Sequence, residues 1–104
     1  MSEFYIKSIE PSIFVKRGEK GLEQMIRINI SSFKGRSNVE LIAEYNGVVI
    51  GETRFNLNIR ENIIEIFVEE SSVPRTIVFK LFYKGFQAGY HEADILPPRS
   101  SESL

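Results

Sequence analysis

Apolar and polar residues alternate with a period of two along most of this chain, and no other feature constrains its fold as strongly. Residues 25–30 place three isoleucines on one face of a strand and Arg27 and Asn29 on the other. The same alternation recurs in residues 39–45, 63–68 and 76–83. These segments are rich in β-branched and aromatic residues, and no stretch shows an amphipathic helical face with caps at both ends. The chain is therefore predicted to be all-β.

Turn residues separate the alternating segments at short intervals. Asn46-Gly47 is the strongest hairpin signal, because a type I′ turn needs positive φ at both central residues. Lys84-Gly85 separates the last two segments, and residues 34–38 and 71–75 have the composition of loops. The pattern predicts strands near residues 3–9, 12–16, 23–31, 38–45, 48–58, 62–69, 76–84 and 86–95, with a break in 48–58 around Gly51 or Asn56.

Short strands at even spacing favour an immunoglobulin/fibronectin III-like β-sandwich of seven or eight antiparallel strands over a barrel. An antibody-type core is excluded, because the chain has neither a cysteine pair nor a tryptophan. The 104 residues suffice for one domain, which we assign to residues 1–96. Residues 97–104 begin with two prolines and are then small and polar, which is typical of a linker or tail.

Charge and hydropathy exclude two classes of partner. The net charge is −1, and the 13 basic and 14 acidic residues are interleaved, whereas a nucleic-acid binder usually gathers a basic excess on one face. No apolar run approaches the ~20 residues that a membrane helix needs. We therefore expect neither a nucleic-acid nor a membrane partner. The first residues lack the features of a signal peptide, and both a cytoplasmic and an exported bacterial location stay open.

The catalytic inventory of the sequence is small. There is no cysteine and one histidine, His91, so Cys/His nucleophile schemes are excluded. A Ser-His-Asp triad would need His91 with Ser31 or Ser72 and with Asp94, but no Gly-x-Ser-x-Gly elbow is present. Three or four good zinc ligands are also missing. We expect no catalytic residue, no metal site and no cofactor, and hence a domain that is not an enzyme.

Two pairs of carboxylates in the sequence have both a functional and a simpler interpretation. Glu69-Glu70 ends one predicted strand, and Glu92 and Asp94 lie in another. Paired carboxylates hydrolyse glycosides when they flank a cleft, and they bind calcium at loop rims. Solvated charges at strand ends are the simpler interpretation of both pairs.

Aromatic residues of the last hairpin are the best candidates for a binding surface. Tyr83, Phe86 and Tyr90 fall close together in the sequence, with Phe82 on the opposite face from Tyr83. Sugar-binding modules stack pyranose rings on exposed aromatic rings, so a carbohydrate contact is one hypothesis for this group. A role in the core or in a contact with a neighbouring domain is the main alternative.

Several segments together resemble a known class of domain. They are Ile9-Glu10-Pro11, Val15-Lys16-Arg17-Gly18-Glu19, the alternating strand 25–30, and residues 69–74 followed by 76–83. This order is similar to the immunoglobulin-like accessory β-domain that precedes the catalytic domain in bacterial glycoside hydrolase family 38 (α-mannosidase-like) proteins. The resemblance implies that residues 93–99 lead towards a catalytic domain. That family's metal-binding and nucleophilic residues lie in its catalytic domain and match no position here.

Three functions remain open from the sequence. The first is a non-catalytic accessory domain of a larger protein, a carbohydrate-active enzyme by the resemblance, whose partner is a neighbouring domain of the same chain. The second is a carbohydrate-binding module that uses Tyr83, Phe86 and Tyr90 as its platform. The third is a free-standing adhesion or protein-interaction domain that pairs through an open edge strand, for which residues 25–30 are the candidate.

Overall fold

Two antiparallel sheets packed as a sandwich make up the fold in a computed structural model, which describes residues 3–19 and 21–98. The first sheet has the order β1-β2-β5, with β1 Phe4–Gly18, β2 Gly21–Ser32 and β5 Arg60–Glu69. The second has the order β4-β3-β6-β7, with β3 Arg36–Tyr45, β4 Val48–Leu57, β6 Arg75–Tyr83 and β7 Phe86–Ile95. The described residues thus contain seven strands and no helix, which confirms the predicted all-β fold.

The position of the fourth strand determines which type of β-sandwich this domain is. In an immunoglobulin constant-type domain the fourth strand lies beside the fifth, in the sheet of the first two strands. Here β4 pairs with β3 in the second sheet, from Tyr45 opposite Val48 to Arg36 opposite Leu57. The strand order is therefore fibronectin III-like.

Inward-facing residues of the two sheets form one core. The isoleucines of β2 that alternate with Arg27 and Asn29 are completely buried, as the period of two predicted. The buried hydrophobic cluster contains Phe4, Ile6, Ile26, Ile28, Ile30, Val39, Leu41, Ala43, Leu57, Ile66, Val68, Ile77, Phe79, Leu81 and Ile95. A slip of one residue in any pairing would turn such residues outward, so burial determines the register.

The start of the chain differs from the prediction of two separate strands. Residues 3–9 and 12–16 belong to one long strand, β1, whose pairing with β2 is irregular between Ile6 and Ser8 and between Pro11 and Val15. Proline is tolerated there because β1 is an edge strand, where a missing N–H need not cost a ladder bond. The predicted break in 48–58 is also wrong, because β4 is continuous and only its pairing with β3 shifts register at two points.

The strand of residues 25–30 lies at the centre of its sheet. It belongs to β2, which is hydrogen-bonded to β1 on one side and to β5 on the other. Its backbone groups are thus already paired within the domain. Pairing with another chain required that this strand not be central, so residues 25–30 cannot provide the open edge.

Both predicted hairpin turns have the required backbone. Asn46 and Gly47 have φ values of 51° and 78°, and Lys84 and Gly85 have values of 52° and 82°. Positive φ at both central residues is the property of a type I′ turn, whose twist matches that of the flanking strands. The turn at Asn46-Gly47 joins β3 to β4, and the turn at Lys84-Gly85 joins β6 to β7.

The sandwich has two ends, which we name after an exposed residue at each. The Phe86 end comprises the start of β1, the loops of residues 33–35 and 58–59, and the turn 84–85. The Leu96 end comprises the connection between β1 and β2, the turn 46–47, the loop 70–74 and residues 96–98. The strands alternate in direction, so β1 begins at the Phe86 end and β7 finishes at the Leu96 end. Pro97 and Pro98 follow β7 outside any strand, and the rest of the predicted linker, 99–104, lies outside the described residues.

Candidate binding surfaces

The three aromatic residues predicted as a platform do not share one face. Tyr83 lies opposite Phe86 across the β6–β7 hairpin, and paired residues of antiparallel strands point to the same side. Tyr90 lies opposite Lys80, on the outer face of the second sheet. The structure thus brings Tyr83 and Phe86 together and separates Tyr90 from them.

Tyr83 closes the core at the Phe86 end. Its ring packs edge-on against Phe4, with centroids 6.0 Å apart and planes at 86°. Two cations approach the same ring, with Arg36 Cζ 5.8 Å and Lys84 Nζ 5.3 Å from its centroid. Cation–π contacts of this kind are attractive. Because the ring of the half-buried Tyr83 already contacts Phe4 and both cations within the domain, Tyr83 is mainly a packing residue.

An ion pair holds the start of β1 to the start of β3 beside Tyr83. Arg36 Nε and Nη2 donate to the two carboxylate oxygens of Glu3, at 2.6 and 2.8 Å. This bidentate bond lowers the pKa of Glu3 and raises that of Arg36. The contact fastens the two sheets together at the Phe86 end.

Phe86 is the most exposed large hydrophobic side chain in the part of the chain that the structure describes, at 76%. It borders a shallow cavity of about 320 Å³, together with Glu3, Phe4, Tyr83, Lys84 and Ala88. The T-shaped pair of Phe4 and Tyr83 lies there, so the cavity is aromatic on one side and charged at its rim.

Tyr90 belongs to a different surface, the outer face of the second sheet. Its hydroxyl donates to Glu92 Oε2 at 3.0 Å, and this hydrogen bond raises the pKa of Tyr90. Phe82 reaches the same face and borders a shallow groove of about 430 Å³ with Ile42, Glu40 and Arg54. Phe82 was predicted only to oppose Tyr83. The structure adds that it shares a surface with Tyr90.

Ion pairs cross the rest of this outer face. Lys80 Nζ lies 3.0 Å from Glu44 Oε1, and Arg54 Nη2 lies 3.4 Å from Glu40 Oε2. Val78 and Ile42 are half-buried between these pairs. The apolar residues that the sequence placed on this face are thus covered in part by the stems of charged neighbours.

An open cleft lies at the Leu96 end. It has a volume of about 880 Å³ and is lined by Lys16, Gly18, Glu19, Gly21, Leu22, Glu23, Val49, Ile50, Gly51, Glu52, Glu69 and Glu70. Five of these residues are glutamates and one is a lysine, so the cleft is acidic. Lys16 lies 3.9 Å from Glu23 and also covers the Phe67 ring, while Glu70 Oε2 is buried without a hydrogen-bond partner.

The carboxylate pairs of the sequence do not face a common cleft. Glu69 and Glu70 border the acidic cleft, whereas Glu92 and Asp94 lie on the outer face of β7. Asp94 there accepts a hydrogen bond of 2.7 Å from Thr76. Within residues 3–19 and 21–98, no group of three or more His, Asp or Glu side chains is arranged to hold a metal ion.

The residues of the hypothetical Ser-His-Asp triad are also dispersed. His91 lies opposite Phe79 on the inward side of β7, and Asp94 lies opposite Thr76 on its outer side. Ser31 belongs to β2, in the other sheet, and Ser72 lies in the loop before β6. The described residues therefore place none of the candidate nucleophiles beside a base.

Comparison with known proteins gives no relative for this chain, since neither a protein family model nor a curated protein sequence matches it. In the described part of the chain, no helix is long and apolar enough to cross a membrane.

Proposed function

We propose that this chain is a non-catalytic accessory domain whose Leu96 end docks against a neighbouring domain of the same polypeptide. The observation that carries the proposal is a group of exposed aliphatic side chains at the end where β7 finishes: Leu22, Val48, Val49, Val73 and Leu96. Their exposed fractions run from 40% for Leu22 to 66% for Leu96. Apolar side chains concentrated on one surface are typical of a contact site.

The path of the chain supports the same interpretation. Gln24, only 2% exposed, donates from Nε2 to the carbonyl oxygen of Leu96 at 3.2 Å. This bond holds the backbone just beyond β7 against the first sheet. Pro97 and Pro98 then restrict the backbone further, so whatever follows is held in a limited range of directions.

The resemblance to accessory domains of α-mannosidase-like glycoside hydrolases extends this proposal to the identity of the neighbour. In that arrangement the reaction belongs to the neighbouring catalytic domain, and this domain contributes a contact surface. The dispersed serine, histidine and carboxylate side chains agree with such a division of roles.

The size of the native polypeptide that carries residues 4–98 tests the proposal first, by immunoblotting in the source organism. We expect a chain several times heavier than 12.0 kDa. A native chain near 12.0 kDa would contradict the accessory role.

A cross-linking experiment on that native chain tests the surface itself. A photo-reactive residue at Val73 should cross-link within the polypeptide to the neighbouring domain. The same residue at Ile63 is the matched control, because it is as exposed as Val73 but lies on the outer face of the first sheet. Equal cross-linking from both positions would contradict docking through the Leu96 end.

A carbohydrate-binding function is the second candidate, and Tyr90 beside the Phe82 groove is the observation that favours it. Titration of the domain with mannosides should then show binding that Tyr90→Ala abolishes. Tyr5→Ala is the control, since Tyr5 has similar exposure in the other sheet. Absence of binding to the unmodified domain would eliminate this candidate.

A further inference from the structure

Three large apolar side chains project from three different connections at the Phe86 end. Phe33 is 64% exposed in the loop between β2 and β3, and Ile59 is 63% exposed between β4 and β5. Phe86, beside the β6–β7 turn, is 76% exposed. Phe33 and Ile59 thus lie in two different loops, and Phe86 is the first residue of β7.

Each of these apolar residues has a cation beside it in the chain. Lys34 follows Phe33, Arg60 follows Ile59, and Lys84 precedes Phe86 by two residues. None of the three cations forms an ion pair with another described residue. Lys84 contacts the Tyr83 ring, and Lys34 and Lys84 act at longer range on Glu3, but no carboxylate of the described residues neutralises any of the three in an ion pair.

Contacts between the loops hold these groups at one surface. The backbone N–H of Phe33 donates to the carbonyl oxygen of Glu3 at 2.9 Å, and both Lys34 and Lys84 help to lower the pKa of Glu3, whose main partner is Arg36. The loop with Ile59 lies beside the same region, because Leu57, two residues before Ile59, has its carbonyl oxygen next to Gly35. A Cβ atom added to Gly35 would lie 3.5 Å from that oxygen.

Two of the three cations have an unfavourable backbone conformation. Arg60 has a φ of 78° and Lys84 a φ of 52°, a region where glycine and asparagine are favoured. Long basic side chains at such positions cost stability that glycine or asparagine would not. Their presence at two connections of the same end therefore points to a use for the charge.

We propose that the Phe86 end binds peripherally to the surface of an anionic lipid membrane. Phe33, Ile59 and Phe86 would enter the boundary between headgroups and acyl chains, where aromatic rings are favoured. Lys34, Arg60 and Lys84 would then lie among the lipid phosphates and other anionic headgroup atoms.

The arrangement favours a membrane over a protein partner for a geometric reason. Three separate apolar residues, each with a cation close to it in the chain, match a fluid surface that accepts all of them at once, whereas a protein would need a complementary pocket for each. The proposal departs from the sequence-based expectation of no membrane partner, which concerned spanning segments. It is independent of the proposed accessory function, which uses the Leu96 end.

Flotation of the full chain with lipid vesicles tests the proposal. We expect binding to vesicles of phosphatidylcholine with phosphatidylserine, and at least about tenfold weaker binding to phosphatidylcholine alone. Added salt should weaken the binding, because it screens the cations from the headgroups.

Variants of the two components should each reduce binding. Lys34→Gln with Arg60→Asn and Lys84→Asn should weaken it about fivefold per charge removed, and asparagine suits the positive φ at the last two positions. Phe33→Ser with Ile59→Ser and Phe86→Ser should weaken it about tenfold per side chain. The matched control is Ile63→Ser, which removes an apolar side chain of similar exposure from the outer face of the first sheet and should bind as before.

Three results would overturn the proposal. One is failure of the unmodified chain to float with anionic vesicles, and another is a loss in the Ile63 control as large as the loss per apolar side chain at the Phe86 end. The third is self-association in sedimentation that the Phe86-end variants abolish, which would make this end a contact between copies. Urea unfolding of each variant ensures that only folded protein is compared.

Discussion

The buried side-chain amide of Asn62 forms hydrogen bonds both with the connection between β4 and β5 and with β2. It is 8% exposed at the start of β5, and its Nδ2 donates to the carbonyl oxygens of Ile30, Asn58 and Arg60 at 3.2, 2.9 and 3.3 Å. Its Oδ1 accepts from the N–H of Asn58 at 2.8 Å. One side chain thus supplies partners for a loop that cannot form ladder bonds, and it ties that loop to β2.

Asn62→Ala should therefore destabilise the domain by about 2 kcal/mol or more, because buried backbone groups lose their partners. Asn56→Ala is the control, since exposed Asn56 only accepts one bond, from the N–H of Asn38 at 3.0 Å. Its cost should stay below about 1 kcal/mol. Urea unfolding measures both free energies, and equal costs would contradict the role given to Asn62.

At the scale of elements, β4 is hydrogen-bonded to β3 in its own sheet and also packs against β5 of the other sheet. Its pairing with β3 shifts register beside Gly51, and a Cβ built on Gly51 would lie 2.4 Å from the carbonyl oxygen of Phe67. Only a residue without a side chain permits this approach. The edges of the two sheets meet at this point.

Gly51→Ala should consequently move β4 away from β5 and cost about 2 kcal/mol or more. Gly35→Ala is the control, because its Cβ would have an ordinary contact of 3.5 Å, and the change should stay within about 1 kcal/mol. Thermal or urea unfolding distinguishes them. A tolerated alanine at position 51 would show that the close approach is not needed.

The strands and turns could be predicted from local patterns, whereas the grouping of the aromatic residues could not. Strict alternation along β7 would put Phe86 and Tyr90 on one face. A register shift skips Ala88, since Phe82 pairs with Gln87 and Leu81 with Gly89, and this reverses the alternation before Tyr90. Gly89 beside the skipped residue is a local mark of a bulge, but a glycine alone does not say which residue is skipped, because that depends on packing between strands.

The candidate surfaces at the two ends could not be predicted from the sequence either. Phe33 and Ile59 are far apart in the chain and look like ordinary apolar residues next to loops. Their exposure depends on how three connections stack at one end, which is decided by the strand order. Pro11 lies between the two predicted strands that form β1, and an edge position allows a proline inside one continuous strand.

At the scale of the whole molecule, two ion pairs fasten β1 to its surroundings. Glu3 pairs with Arg36 of β3, and Lys7 pairs with Glu61 of β5. Hydrogen bonds from these cations lower the pKa of both glutamates below the ordinary value of 4.5. Carboxylates with a depressed pKa stabilise the folded state above their unfolded pKa, and this stabilisation is lost as the pH falls through the folded pKa.

Glu3→Gln combined with Glu61→Gln should therefore reduce the dependence of stability on pH in the acid range. The free energy of unfolding of the unmodified chain should fall between neutral pH and about pH 3, and the double variant should fall less. Glu52→Gln is the control, because Glu52 forms no ion pair with another described residue and should leave the slope as it was. Parallel curves for all three proteins would contradict this assignment.

The odd number of strands has a mechanical consequence. Because β1 begins at one end of the sandwich and β7 finishes at the other, tension on the two terminal strands pulls them in opposite directions along the strand axis. The bonds between β1 and β2 are then loaded in shear, all together, and cannot open one at a time. A domain with this layout resists stretching as a unit.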